Sequence, residues 1–89
     1  MRSIRRDTQF KKDVKRLLER GKDLDKLKTI ITILAAAESL SARNKDHPLK
    51  GTLKDCRECH IEADWLLIYR IEGSVLCLVR TGSHADLFE

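Results

Sequence analysis

The chain closes on RTGSHADLFE, which sets Arg80, His84 and Phe88 four residues apart. A permanent cation, a titratable imidazole and an aromatic ring form a set suited to handling a phosphate. Two further histidines, His47 and His60, and a nearby acid, Asp64, add groups able to move protons. Cutting RNA through its own 2′-hydroxyl needs a base for that proton and an acid for the departing 5′-oxygen. It also needs positive charge for the transition state at phosphorus. Imidazole titrates at about pH 6.5 and serves either proton role at neutral pH, while a guanidinium fork matches phosphate oxygens. Phe88 offers a ring on which an unpaired base can stack. No metal or other cofactor is needed for such a reaction.

These residues must be gathered by the elements around them. Ser3–Arg6 reads as a short first strand. Asp7 or Thr8 can cap a helix running to about Arg20, with Phe10, Val14, Leu17 and Leu18 on one face. Gly21 is a natural stop, and Asp23 caps a second helix to about Ser39, buried through Leu24, Leu27, Ile30, Ile31, Leu34 and Ala35. So short a link predicts an antiparallel helical hairpin. SARNKDHPLKGT reads as an irregular loop, since Pro48 and Gly51 interrupt regular structure. Three strand-like runs follow, at 53–61, 65–72 and 75–81, joined at Glu62-Ala63 and at Gly73-Ser74. The expected architecture is α+β in the order β-α-α-β-β-β, one domain over residues 1–89. A two-helix hairpin would cover one face of a four-stranded antiparallel sheet.

Antiparallel pairing through those turns sets Arg80 beside Leu66 or Leu67 and His60 beside Trp65. His60, Asp64 and Arg80 then share one end of the sheet, on strands about 5 Å apart. Gly82 permits a change of direction toward His84. The face each side chain occupies stays open, because a slip of one residue reverses it. Taken singly, each residue also has a structural reading: Asp64 as a turn cap, Phe88 and Trp65 as packing residues.

Charge is unevenly placed. The formal net charge is +4, yet residues 1–28 hold eleven Lys/Arg against five Asp/Glu, and residues 29–89 hold seven against nine. A basic first third, with Lys11, Lys12, Lys15 and Arg16, suits a polyanion such as nucleic acid as well as a solvated helix face. At 42% hydrophobic with one proline, the chain has the composition of a folded domain. No apolar run reaches the length of a membrane span, and MRSIRRDTQFKKD carries no apolar stretch of a signal peptide, so a cytoplasmic protein is expected. Three cysteines, Cys56, Cys59 and Cys77, cannot all pair internally, which fits a reducing compartment. Cys56-Arg57-Glu58-Cys59-His60 matches the pattern of covalent haem attachment. That reading is set aside, because Met1 is the only methionine and the motif falls in an expected strand. A zinc site drawn from the cysteines, His60 and His84 is the better rival. Small apolar core residues are the simplest account of Cys59 and Cys77.

KDHPLKG, RECHIEADWLLIYRI and RTGSHADLF together resemble the YafQ branch of the RelE/ParE toxin superfamily, over essentially the whole chain. The resemblance implies a microbial-RNase-like fold, ribosome-dependent cleavage of A-site mRNA, contacts to ribosomal RNA, and a complex with a DinJ-like antitoxin. It implies functional roles for His47, His60, Asp64, Trp65, Arg80, His84 and Phe88. In that reading His84 is the general acid and Arg80 stabilises the transition state. His47, His60 and Asp64 share the base function; Phe88 and Trp65 bind substrate, Phe88 positioning a nucleobase and Trp65 supporting the site. His47 precedes the strand at 53–61, so the loop around Pro48 must fold back to bring it in. Leu53, Asp55-Cys56 and Ala63 depart from residues common in that branch, at positions of packing and turns. The competing expectation is a non-catalytic or gyrase-directed relative of the same fold, against which the three histidines argue.

Overall fold

The computed structural model describes residues 1–88. In chain order it forms β1 (Ser3–Arg6), α1 (Thr8–Glu19), α2 (Leu24–Ala35), β2 (His47–Pro48), β3 (Arg57–Glu62), β4 (Trp65–Glu72), β5 (Val75–Gly82) and α3 (His84–Phe88). Single 3-10 turns occupy Ala42–Asn44 and Gly51–Leu53.

The helices end where backbone groups find partners. Gly21, at φ 78°, closes α1: its N–H donates to Leu18 O, and the Lys22 N–H donates to Leu17 O. Asp23 caps α2 by accepting from the Asp25 N–H at 3.0 Å. α2 stops at Ala35, four residues short of the expected end. Ala37 takes a left-handed turn at φ 60°, and Arg2 donates to the carbonyls of Ala35 and Leu34. The apolar stripe of α1 buries Phe10 and Leu17, whereas Leu18 is exposed and Asp13 takes the inward position instead.

The sheet has five strands in the order β1-β5-β4-β3-β2 and is mixed. The expected four-stranded antiparallel sheet is corrected in two ways. β1 runs parallel to β5, pairing Ser3 with Val75 through Arg6 with Leu78. Both helices intervene between β1 and the hairpins, so no turn dictates its direction. β2 adds a fifth strand from the segment expected to be an irregular loop, pairing His47 with Glu58 and Pro48 with Arg57. β3 begins at Arg57, because residues 51–53 coil into a 3-10 turn. Its turn into β4 is Ala63-Asp64, one residue later than expected.

One face of the sheet lies under the helices. Cys59, Trp65, Leu67, Tyr69, Leu76 and Leu78 pack there with Phe10, Leu17, Leu27, Ile30, Leu34 and Ala35. α1 lies against β5 and α2 against β3. All three cysteines are buried free thiols, and burial pushes the Cys59 thiol up to about 12. This is the behaviour of core residues.

A break in β5 decides which face each later residue joins. Tyr69 pairs with Leu78, but the next residue, Ile68, pairs with Arg80, so Val79 is extra. A regular strand would have sent Arg80 to the helix side with Leu76 and Leu78. The bulge turns Arg80 to the opposite face and puts Thr81 under the helices.

Candidate active site

The face away from the helices carries the chemistry. Residues opposite one another in a sheet share a face, so His47, Glu58, Ile68 and Arg80 form one row across β2, β3, β4 and β5. His60, Leu66 and Gly82 form the next row. Leu66 and Ile68 make an apolar floor. His60 therefore stands opposite Leu66, not Trp65, and Arg80 opposite Ile68, not Leu66 or Leu67.

Glu58 sits between two imidazoles. Its Oε1 is 3.4 Å from His47 Nε2 and 3.6 Å from His60 Nε2, and its side chain is 7% exposed. Asp46 holds the loop that delivers His47: Asp46 Oδ1 accepts from Tyr69 Oη at 2.7 Å and from Arg57 Nε at 3.1 Å. Asn44 donates from Nδ2 to the His60 carbonyl at 2.8 Å. The loop does fold back, as the family resemblance implied.

Asp64 and His84 form a second pair. His84 Nδ1 donates to Asp64 Oδ1 at 2.8 Å, and the His84 N–H donates to the same oxygen at 3.0 Å. These two bonds hold the Asp64 carboxyl below its usual range. With Nδ1 committed to the carboxylate, Nε2 is the nitrogen left to face a ligand. The His60 and His84 ring centroids are 6.1 Å apart, and Phe88 lies 6.2 Å beyond His84 with 47% of its surface exposed.

α3 carries His84 and Phe88 and is only five residues long, so it depends on anchors. Ser83 and Asp86 cap each other: the Asp86 N–H donates to Ser83 Oγ, and the Ser83 N–H donates to Asp86 Oδ2. Arg20, the residue that caps the end of α1, then grips Asp86 through both terminal guanidinium nitrogens, at 2.7 and 2.9 Å. Gly82 admits this closure, since a Cβ there would stand 2.8 Å from Asp86 Oδ2.

Arg80 is shared with the fold. Its Nε and Nη2 donate to Asp13 at 2.7 and 3.2 Å, leaving Nη1 outside that fork. Asp13 is fully buried and also accepts from the Thr81 N–H and from Gln9. Trp65, expected to help bind substrate, is 1% exposed; its indole N–H donates to Thr81 Oγ1, and Lys22 stands over its ring. That burial removes direct substrate contact and leaves Trp65 a supporting role. Lys11, Lys12 and Lys15 are exposed on α1, whereas Arg16 is occupied with Asp13 and Asp86.

Two groups central to this arrangement, Glu58 and Asp13, were missed by sequence reasoning, and each carried a signal. Glu58 lies two residues before His60, hence on the same face of the strand. Asp13 falls three residues after Phe10, within the helix's apolar stripe.

Residues 2–89 match a family described as the YafQ bacterial toxin of type II toxin–antitoxin systems. The chain belongs to the YafQ family. It is 46% identical over 88 residues to the mRNA interferase toxin YafQ of Escherichia coli K12, covering 98% of this chain and 96% of that one. It superposes on the toxin of the E. coli DinJ–YafQ complex with a TM-score of 0.91 at 44% identity, over all of both chains. It also superposes on a metal-bound toxin from Helicobacter pylori with a TM-score of 0.92 at 47% identity, covering 99% of this chain and 100% of that one. Of the seven YafQ positions singled out in the sequence, His60, Asp64, His84 and Phe88 lie in continuous contact range. His47 joins them through Glu58, Arg80 shares their face, and Trp65 lies beneath.

Proposed function

We propose that this chain is an mRNA interferase, the toxin of a type II pair, which cleaves message on the ribosome by acid–base catalysis. The observation that carries this reading is the Asp64–His84 pair at 2.8 Å with the His60 ring 6.1 Å away, on an open sheet face. A phosphodiester laid across the two rings presents its 2′-oxygen to one and its 5′-oxygen to the other. His84, oriented by Asp64, protonates the 5′-oxygen from Nε2. His60 takes the 2′-proton, and Glu58, which also lies 3.4 Å from His47, steadies the resulting imidazolium. Arg80 meets the equatorial phosphate oxygens with the edge that Asp13 leaves uncovered. Phe88 stacks on the adjoining base.

A DinJ-like antitoxin is the proposed partner, and the cytoplasm the proposed compartment. Lys11, Lys12 and Lys15 supply a basic helix face for ribosomal RNA. Among the described residues, no helix is long and apolar enough to cross a membrane.

The test is His84→Gln. The variant keeps its fold and loses growth arrest, with cleavage down by about 10²–10⁴. Transcript ends mapped after induction of the wild type fall in translated messages and are absent from untranslated ones. Full toxicity in His84→Gln, or cuts regardless of translation, refutes the proposal. The metal-bound H. pylori relative favours a second reading, in which an ion sits among the imidazoles. Among the described residues no group of three His, Cys, Asp or Glu side chains is placed to hold one. Cleavage that survives EDTA supports the acid–base reading, and cleavage that EDTA abolishes supports the ion.

A further inference from the structure

A groove of about 760 Å³ opens beside the site, between α2 and the 3-10 turn at Ala42–Asn44. Its wall includes Lys26, Arg43, Lys45, Glu62 and His60, so the groove adjoins a residue of the reaction face. Glu62 is already neutralised, by Lys22 at 3.1 Å and Lys26 at 2.7 Å. The charges left over are Arg43 and Lys45, both exposed. Past Glu58 no strand pairs with the outer edge of β3, which is met there by Asn44 of the 3-10 turn at the His60 carbonyl. A chain entering the groove can therefore continue past His60 without a strand in its way.

Lys45 is held in an unusual state. It takes φ 49° and ψ 46°, the left-handed conformation that Gly or Asn adopts with less strain. A lysine kept at such a position suits a need for its ammonium group.

We propose that this groove binds the sugar–phosphate backbone of the substrate RNA beside the scissile bond, with Arg43 and Lys45 contacting phosphates. The assignment rests on the ribonuclease reading above and extends it to the path of the strand. Positive charge, continuity with His60 and room for a nucleotide-sized ligand argue for it together.

The experiment measures binding of a fluorescein-labelled 2′-O-methyl RNA octanucleotide, which cannot be cleaved, from about 50 to 200 mM salt. Thermal midpoints are recorded beside it. Lys45→Gly and Arg43→Ala each weaken binding several-fold, and the slope of log affinity against log salt falls by about 0.7 per charge removed. Lys45→Gly melts at or above the wild-type midpoint, a result that a merely structural lysine would not give. Lys54→Ala, an equal charge loss outside the groove, leaves most of the affinity intact. Wild-type slopes in both groove variants, an equal loss in Lys54→Ala, or no binding by the wild type overturns the proposal. If Lys45→Gly melts lower, Arg43→Ala alone decides. Binding of an uncleavable strand does not depend on His84, so failure here and failure of the catalytic reading are separable.

Discussion

Replacing Arg80 with alanine separates what this residue does for the fold from what it does for the reaction. Its side chain is 28% exposed, but that of the aspartate it pairs with is wholly buried. Arg80→Ala leaves Asp13 with the Thr81 N–H at 3.1 Å, the Gln9 amide at 3.2 Å and Arg16 at 3.7 Å. Stripping one partner from a buried ion pair costs about 3–5 kcal/mol. The residual donors and the part-exposed arginine side chain argue for the low end, about 3 kcal/mol. At roughly 4–8 °C per kcal/mol for a domain of this size, the midpoint falls by about 12–24 °C. Loss of the guanidinium also lowers cleavage by about 10²–10³. Asp13→Asn added to Arg80→Ala removes the stranded charge while keeping an acceptor for the Thr81 N–H. The double variant recovers about 2 kcal/mol but no cleavage. Unfolding can be followed through Trp65, the only tryptophan, and cleavage on a translated reporter message. An Arg80→Ala protein melting within about 3 °C of wild type, or no recovery in the double variant, refutes the dual role.

Three further outcomes follow from the same geometry. Asp64→Asn removes the charge that orients His84, so cleavage falls by roughly 10²-fold or more and the alkaline limb of the pH–rate profile shifts; an unchanged profile refutes the pairing. Gly82→Ala drives a methyl group against Asp86, displacing α3 at a cost of about 1–3 kcal/mol and abolishing cleavage, as melting and activity measured together will show. Asp86 is held well below its ordinary 3.8 by the Arg20 hydrogen bonds and the Ser83 N–H. A depressed carboxyl contributes stability that is complete above the unfolded value and disappears as pH falls through the folded one. Asp86→Asn therefore starts less stable at neutral pH and loses less on acidification below about pH 4, and parallel acid-melting curves would contradict this.

Much of the molecule was legible before its structure. Asp23, Gly21 and Gly73-Ser74 are local signals with local consequences, and the caps and turns they mark are present. The end of α2 was misread because the left-handed residue there is Ala37, where helices more often announce themselves with glycine. The direction of β1 and the pairing of His47 depend on contacts between residues distant in sequence, which periodicity does not encode. That His60, Asp64 and Arg80 share one end of the sheet could be argued from the hairpins alone, with Gly82 turning the chain toward His84. The commitment of Arg80 to Asp13 could not, because it requires both the bulge and the position of α1.

That bulge makes Val79 a phase shifter. Before it, alternate residues of β5 belong to the helix-covered layer; after it, the alternation is inverted, and a cation that belonged to the interior emerges where phosphate arrives. Pairing the same strand in regular register, with Val79 kept and the bulge lost, would preserve every imidazole, acid and guanidinium in the chain. It would nonetheless return Arg80 to the interior and Thr81 to the outside. Function in this chain thus hangs on the parity of a strand as much as on the identity of its residues.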